Sequence, residues 1–123
     1  MYLIITNNPA VADKYQKAAR FVDGDVIKVF ETVRNAVHKG AKIITHPLSG
    51  SIKPNESPYK SVMISNMSGP LNTKSLQIIE DAITILNRLP HKKHNYCESI
   101  LQDFRIIDLD LITSSECANA HSI

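Results

Sequence analysis

Tyr2-Leu3-Ile4-Ile5-Thr6-Asn7-Asn8-Pro9 is the stretch on which the fold of this chain turns. Its apolar run has no polar interruption before Thr6, which suits a strand buried on both faces, because a half-exposed strand alternates. Asn8 followed by Pro9 then reads as a helix start. An asparagine side-chain oxygen takes one orphan amide, and proline is preorganised for the first helical position. Val11, Tyr15, Ala18 and Ala19 continue along one helical face.

Working outward, Phe21-Val22 is a short apolar piece before the Asp23-Gly24 turn and a candidate second strand. Asp25 caps a helix predicted from the spacing of Val26, Val29, Phe30, Val33 and Val37. His38-Lys39 places cations in its last turn, and Gly40 supplies a left-handed stop. Residues 41–45 and 61–65 are two further apolar runs and strand candidates, the second closed by Ser68-Gly69-Pro70. Asn72 or Thr73 caps a helix with the stripe Leu76, Ile79, Ala82, Ile83 and Leu86, ending near Pro90. His91-Lys92-Lys93-His94 is a polar linker, and residues 99–104 are a weaker helical piece. Ile107, Leu109 and Leu111 alternate with Asp108 and Asp110, which predicts a half-buried edge strand near the C-terminus. Strand and helix therefore alternate. The expectation is a single-domain α/β fold over residues 1–113, with a mostly parallel sheet of four to five strands flanked by helices. Residues 2–6 and 41–45 are expected as central, adjacent, parallel strands, and residues 114–123 as a flexible, polar tail.

A length of 123 residues gives one domain with a real core, and 43% hydrophobic with 21% charged residues is the balance of a soluble globular protein. A net charge of +2, with lysines and arginines scattered rather than striped, argues against nucleic acid or an anionic membrane as partner. The N-terminal apolar run lacks a basic flank and ends too soon for a signal peptide or membrane span. Cys97 and Cys117 are twenty residues apart and match no metal or disulfide framework, so they read as free thiols of a cytoplasmic protein. Gly50 and Gly69 stand alone, without a glycine-rich phosphate fingerprint, and no cofactor or metal is expected.

The connection Thr45-His46-Pro47-Leu48-Ser49-Gly50-Ser51-Ile52-Lys53-Pro54-Asn55-Glu56-Ser57-Pro58-Tyr59-Lys60-Ser61 is the candidate site. A connection this long without periodicity is functional or disordered, and its Leu48, Ile52 and Tyr59 argue for order. Ligands of open α/β sheets bind beyond the carboxyl ends of strands. If residues 2–6 and 41–45 are neighbours, Thr6, Asn7 and Asn8 share one crevice with Thr45, His46, Ser49, Gly50 and Ser51. The amides at the helix start favour an anion there. Capping alone also explains Asn8. His46 is the candidate for acid–base chemistry, because the unperturbed imidazole pKa lies near neutrality, although a histidine that bonds its own loop backbone is the more common case. Ser49 is not a nucleophile elbow, because Pro47 stands where that motif needs glycine. Pro54 and Pro58 stiffen the segment between Lys53 and Lys60, which makes these lysines, with Asn55 and Tyr59, a candidate anion clamp.

Ile4-Ile5-Thr6-Asn7-Asn8-Pro9, the connection from Thr45 to Ser61, and Asp103-Phe104 followed by Ile107-Asp108 together resemble the GrdX family, across nearly the whole chain. Members are small proteins encoded beside the glycine reductase genes of amino-acid-fermenting anaerobic bacteria. The resemblance implies a bacterial, cytoplasmic accessory protein linked to that metabolism, and no particular reaction. The leading expectation is a protein that binds a small anionic metabolite, or a glycine reductase component, at the two loops. Two rivals stay open. One is an enzyme with His46 as general acid or base and Lys53 or Lys60 holding an anion. The other is a docking or assembly module that exposes Leu48, Ile52 and Tyr59.

Overall fold

The computed structural model describes residues 1–50, 52–90 and 95–120. The linker expected at 91–94 and the candidate site residue Ser51 lie outside the described residues. The chain order is β1 (Tyr2–Thr6), α1 (Pro9–Tyr15), a 3-10 turn (Gln16–Ala18), β2 (Ala19–Phe21), α2 (Val26–His38), β3 (Ser61–Ser65), α3 (Thr73–Arg88) and α4 (Glu98–Ala120).

β1 is central. It pairs parallel with β2, with Ile4 opposite Ala19, and antiparallel with β3, with Ile4 opposite Met63. The unbroken apolar run of β1 is explained by burial on both sides. Ile5, Val62 and Ile64 face a core with Val29, Phe30 and Val33 of α2 and Ile79 and Ala82 of α3. Ile4 and Met63 face the opposite way, onto Val11 of α1 and Ile112 of α4. Successive strand residues point to opposite faces, so one five-residue strand serves both clusters.

The capping residues behave as their chemistry requires. Asn8 Oδ1 accepts from Ala10 N–H at 3.0 Å with Pro9 in the first turn of α1, Asp25 Oδ1 accepts from Lys28 N–H at 3.2 Å, and Asn72 Oδ1 accepts from Ser75 N–H at 2.8 Å. Gly40 sits at φ +105° past the end of α2, and a Cβ there would come within 2.3 Å of the Gly69 backbone nitrogen.

Two expected strands are absent. The described residues form three strands, in the order β2-β1-β3, with one parallel and one antiparallel pair, rather than four to five mostly parallel ones. Residues 41–45 run along the outer edge of β3, so β3 separates them from β1, and they contribute only an isolated bridge, Ile43 to Ile64. Side chains replace the missing ladder. Ser65 Oγ accepts from Lys42 N–H, Ser75 Oγ from Ile43 N–H and Thr45 Oγ1 from Met63 N–H, while Met63 O takes both Ile44 and Thr45 N–H. Hydroxyls that satisfy backbone groups in this way compete with regular pairing. The predicted edge strand at 107–111 is instead part of α4. Its alternation extends over only five residues, whereas buried Asp108 and Ile112, with half-buried Leu101, Phe104 and Arg105, keep helical spacing through the longer segment. α4 continues through residues 114–120, where composition suggested a tail. Among the described residues no helix is long and apolar enough to cross a membrane.

Candidate functional site

The long connection before β3 folds back over the end of the sheet, and Asn7 holds its far end. The Asn7 side-chain amide donates to Gly24 O at 2.9 Å and Pro58 O at 2.8 Å, and its Oδ1 accepts Lys60 N–H at 2.8 Å. With both polar ends engaged, Asn7 is a clamp between three turns. Tyr96 of the segment before α4 adds a tie, donating its hydroxyl proton to Glu56 O at 3.0 Å.

Beneath this connection, against α4, lies a cavity of about 40 Å³. Ser49, Gly50, Lys53, Tyr59 and Lys60 line one wall, and Phe104, Ile107, Asp108 and Leu111 of α4 line the other. Lys60 Nζ donates to Ser49 O at 2.7 Å. An ammonium has three donors, and this is the one hydrogen bond it makes among the described residues. Loss of solvent holds the Lys60 ammonium below its ordinary pKa, with the nearby Asp108 charge acting in the opposite direction.

Asp108 is 7% exposed and belongs to a buried polar chain. Asn8 N–H donates to Thr6 Oγ1 at 2.9 Å, Thr6 Oγ1 and Ser61 Oγ are 2.7 Å apart, and Ser61 Oγ donates to Asp108 Oδ2 at 2.7 Å. Since Ser61 gives its single proton to the carboxylate, Thr6 is the donor between the two hydroxyls. Asn8 Nδ2 donates to the same Oδ2 at 3.0 Å and to Arg105 O at 3.0 Å. Burial pushes the Asp108 carboxyl above its ordinary value, and the bonds from Asn8 and Ser61, with the Lys60 charge, resist that rise. The Ser61 backbone N–H adds a further hydrogen bond to this carboxylate.

A second, larger cavity of about 460 Å³ opens on the other side of the same segment, between Val26 and Ile27 of α2 and Leu86 and Leu89 at the end of α3. Pro54, Ser57 and Tyr59 line both cavities, so this strip is their shared wall. Arg105 NH1 donates to the Tyr59 hydroxyl at 2.9 Å, and Arg105 also pairs with Glu98, which fixes the ring.

The sequence-predicted residues therefore divide. Ser49, Gly50, Lys53, Tyr59 and Lys60 come together around the smaller cavity, and Asn7, Asn55 and Tyr59 line the larger one. Thr6 and Asn8 lie behind the smaller cavity and hold Asp108. Thr45 serves the β3 edge. His46 is exposed and lines neither cavity, and its Nδ1 accepts Leu48 N–H at 3.1 Å, which is a turn-forming role. The docking residues do not form one exposed patch, since Leu48 packs on the main core and Ile52 and Tyr59 line cavities. Sequence reasoning missed Asp108 and Arg105 as site residues. The signal was present, because Phe104, Asp108 and Leu111 share a helical face once 98–120 is read as one helix. Among the described residues no group of three or more histidine, cysteine, aspartate or glutamate side chains is placed to hold a metal.

A family model described as GrdX-like protein matches residues 3–115. No curated protein matches the chain, and no solved structure does.

Proposed function

Because the chain belongs to the GrdX-like protein family, we propose that it is an accessory protein that binds a small anionic metabolite in the cavity between the 49–60 segment and α4. The same proposal has it act in the cytoplasm and in glycine reductase-type amino-acid metabolism. One observation carries the binding reading: the Lys60 ammonium is desolvated on the cavity wall and makes a single hydrogen bond among the described residues, to Ser49 O. A charge removed from water without an ion-pair partner favours an incoming counter-charge. The site differs from the crevice expected from sequence. Asn7, Asn8 and Thr6 supply its scaffold rather than its donors, and the ligand-facing charge is Lys60.

Binding is a better reading than acid–base catalysis by His46. That imidazole is exposed, engaged in its own turn and away from both cavities. Calorimetric titration with acetate and with inorganic phosphate tests the proposal. Lys60→Met is expected to weaken binding about tenfold or more, the loss of one charge-assisted hydrogen bond. His46→Ala is expected to bind as the unmodified protein does. Equal binding by Lys60→Met, or loss confined to His46→Ala, overturns the reading.

A further inference from the structure

Lys60 and Asp108 carry opposite charges, both are withdrawn from water, and both face the same cavity. Yet no ion pair within 4.0 Å joins them among the described residues. Among the described residues each hydrogen-bonds neutral groups, Lys60 the Ser49 carbonyl and Asp108 Oδ2 the Asn8 amide and Ser61 hydroxyl, and the two charges favour one another without contact. A buried charge without a partner is costly, and two such charges across one small space favour whatever bridges them.

We infer that the cavity takes a small amphoteric molecule, with a carboxylate bound by Lys60 and an amine or hydroxyl donating to the Asp108 carboxylate. This rests on the anion-binding reading above and names the class of anion. A plain carboxylate would satisfy Lys60 but bring a second negative charge towards Asp108, and like charges that close disfavour one another. A molecule that carries a donor as well as a carboxylate meets both demands together. The volume restricts the choice further. A water needs about 10–15 Å³ of such space, so about 40 Å³ admits a few waters or one molecule of a few heavy atoms. Ile52, Pro54, Phe104, Ile107 and Leu111 wall it with apolar surface, which disfavours further charged groups on the ligand.

Lys53 and Arg105 do not change this assignment. Lys53 lines the rim and is exposed, and Arg105 is committed to Tyr59 and Glu98. The Asn8 amide and the Ser61 hydroxyl both donate to Oδ2 and hold the carboxylate of Asp108 in one orientation at the cavity wall.

Acetate, glycolate and glycine share one two-carbon frame and differ only in carrying hydrogen, hydroxyl or ammonium beside the carboxylate. Titrated into the full chain at neutral pH, glycolate and glycine are expected to bind about tenfold tighter than acetate, the difference made by one hydrogen bond to a charged acceptor. Asp108→Asn is expected to keep acetate binding and to erase that preference. Equal binding of the three, or tightest binding of acetate, overturns the amphoteric assignment and leaves the anion-binding reading standing. If none of the three binds, the amphoteric assignment falls, and if inorganic phosphate does not bind either, the anion-binding reading falls with it. Circular dichroism checks that Asp108→Asn is folded. Should it not fold, the comparison of the three probes on the unmodified protein decides the matter by itself.

Discussion

The two faces of the sheet are built on different principles. On the α2–α3 face, Ile5, Val62 and Ile64 meet a continuous apolar layer in which Phe30, Val29, Val33 and Ile79 are fully buried. On the α1–α4 face the apolar cluster is small, Ile4, Val11, Met63 and Ile112, and beside it lies the polar chain from Asn8 to Asp108. The first face gains from area removed from water, which is large and non-directional. The second positions a few groups accurately, because a buried hydrogen-bonded network tolerates one geometry and is costly when incomplete. Stability and site thus occupy opposite sides of β1.

The sharpest way to break this division is to excavate the first face. Phe30→Ala should destabilise the protein by about 3–5 kcal/mol, the usual cost of truncating a buried phenylalanine, as measured by urea unfolding. A loss no larger than that caused by cutting the polar chain would mean the two faces share the burden equally. Ser61→Ala makes that cut. It removes a donor to the Asp108 carboxylate and leaves Thr6 without its acceptor, at about 1.5–3 kcal/mol. The same substitution should move the Asp108 titration, followed by carboxyl chemical shifts, further upward, and an unchanged midpoint would remove Ser61 from the network.

A smaller effect separates the faces by pH. The folded pKa of Asp108 is raised above 3.8, so the native state binds its proton more readily than the unfolded chain does. Its contribution therefore falls as pH climbs from 3.8 to the raised value and is constant outside that window. Lys60 acts with the reverse sign. Its folded pKa lies below 10.5, so stability recovers as pH rises from that lowered value towards 10.5. Relative to the unmodified protein, Asp108→Asn should gain stability across the acidic window in urea midpoints recorded against pH. Parallel curves would show that Asp108 is not desolvated.

Sequence made the first face legible and the second only partly so. Val26, Val29, Phe30, Val33 and Val37, with Ile79, Ala82 and Ile83, repeat over enough turns for period alone to define a helix, and Asp25, Asn72 and Gly40 punctuate them with residues of specific capping chemistry. β1 and β3 were legible as unbroken apolar runs. Residues 41–45 look the same in sequence, but whether such a run pairs depends on Ser65 and Ser75, whose hydroxyls occupy its Lys42 and Ile43 amides, and local pattern does not contain them. α4 was obscured because Ile107 to Leu111 matches a period of two as well as it matches a helix, and the tie breaks only when Asp108 is allowed to be a buried, partnered charge. The site suffered from the same error. Its loop half was visible in Ser49, Lys53, Tyr59 and Lys60, while its helix half was hidden in the misread segment.

The hydrogen bond from Asn8 to Asp108 spans 100 positions of the chain, and the one from Ser61 to Asp108 spans 47. A chain emerging from a ribosome therefore has α2, β1 and β3 available long before the acceptor that organises the polar side. Until residue 108 arrives, the Ser61 proton and the Asn8 side-chain amide lack this carboxylate, and the smaller cavity lacks one of its two walls. The apolar face can consolidate early from residues 5 to 83, whereas the polar face closes last, as long-range contacts must. Closure of the smaller cavity is thus a late event in the synthesis of this chain.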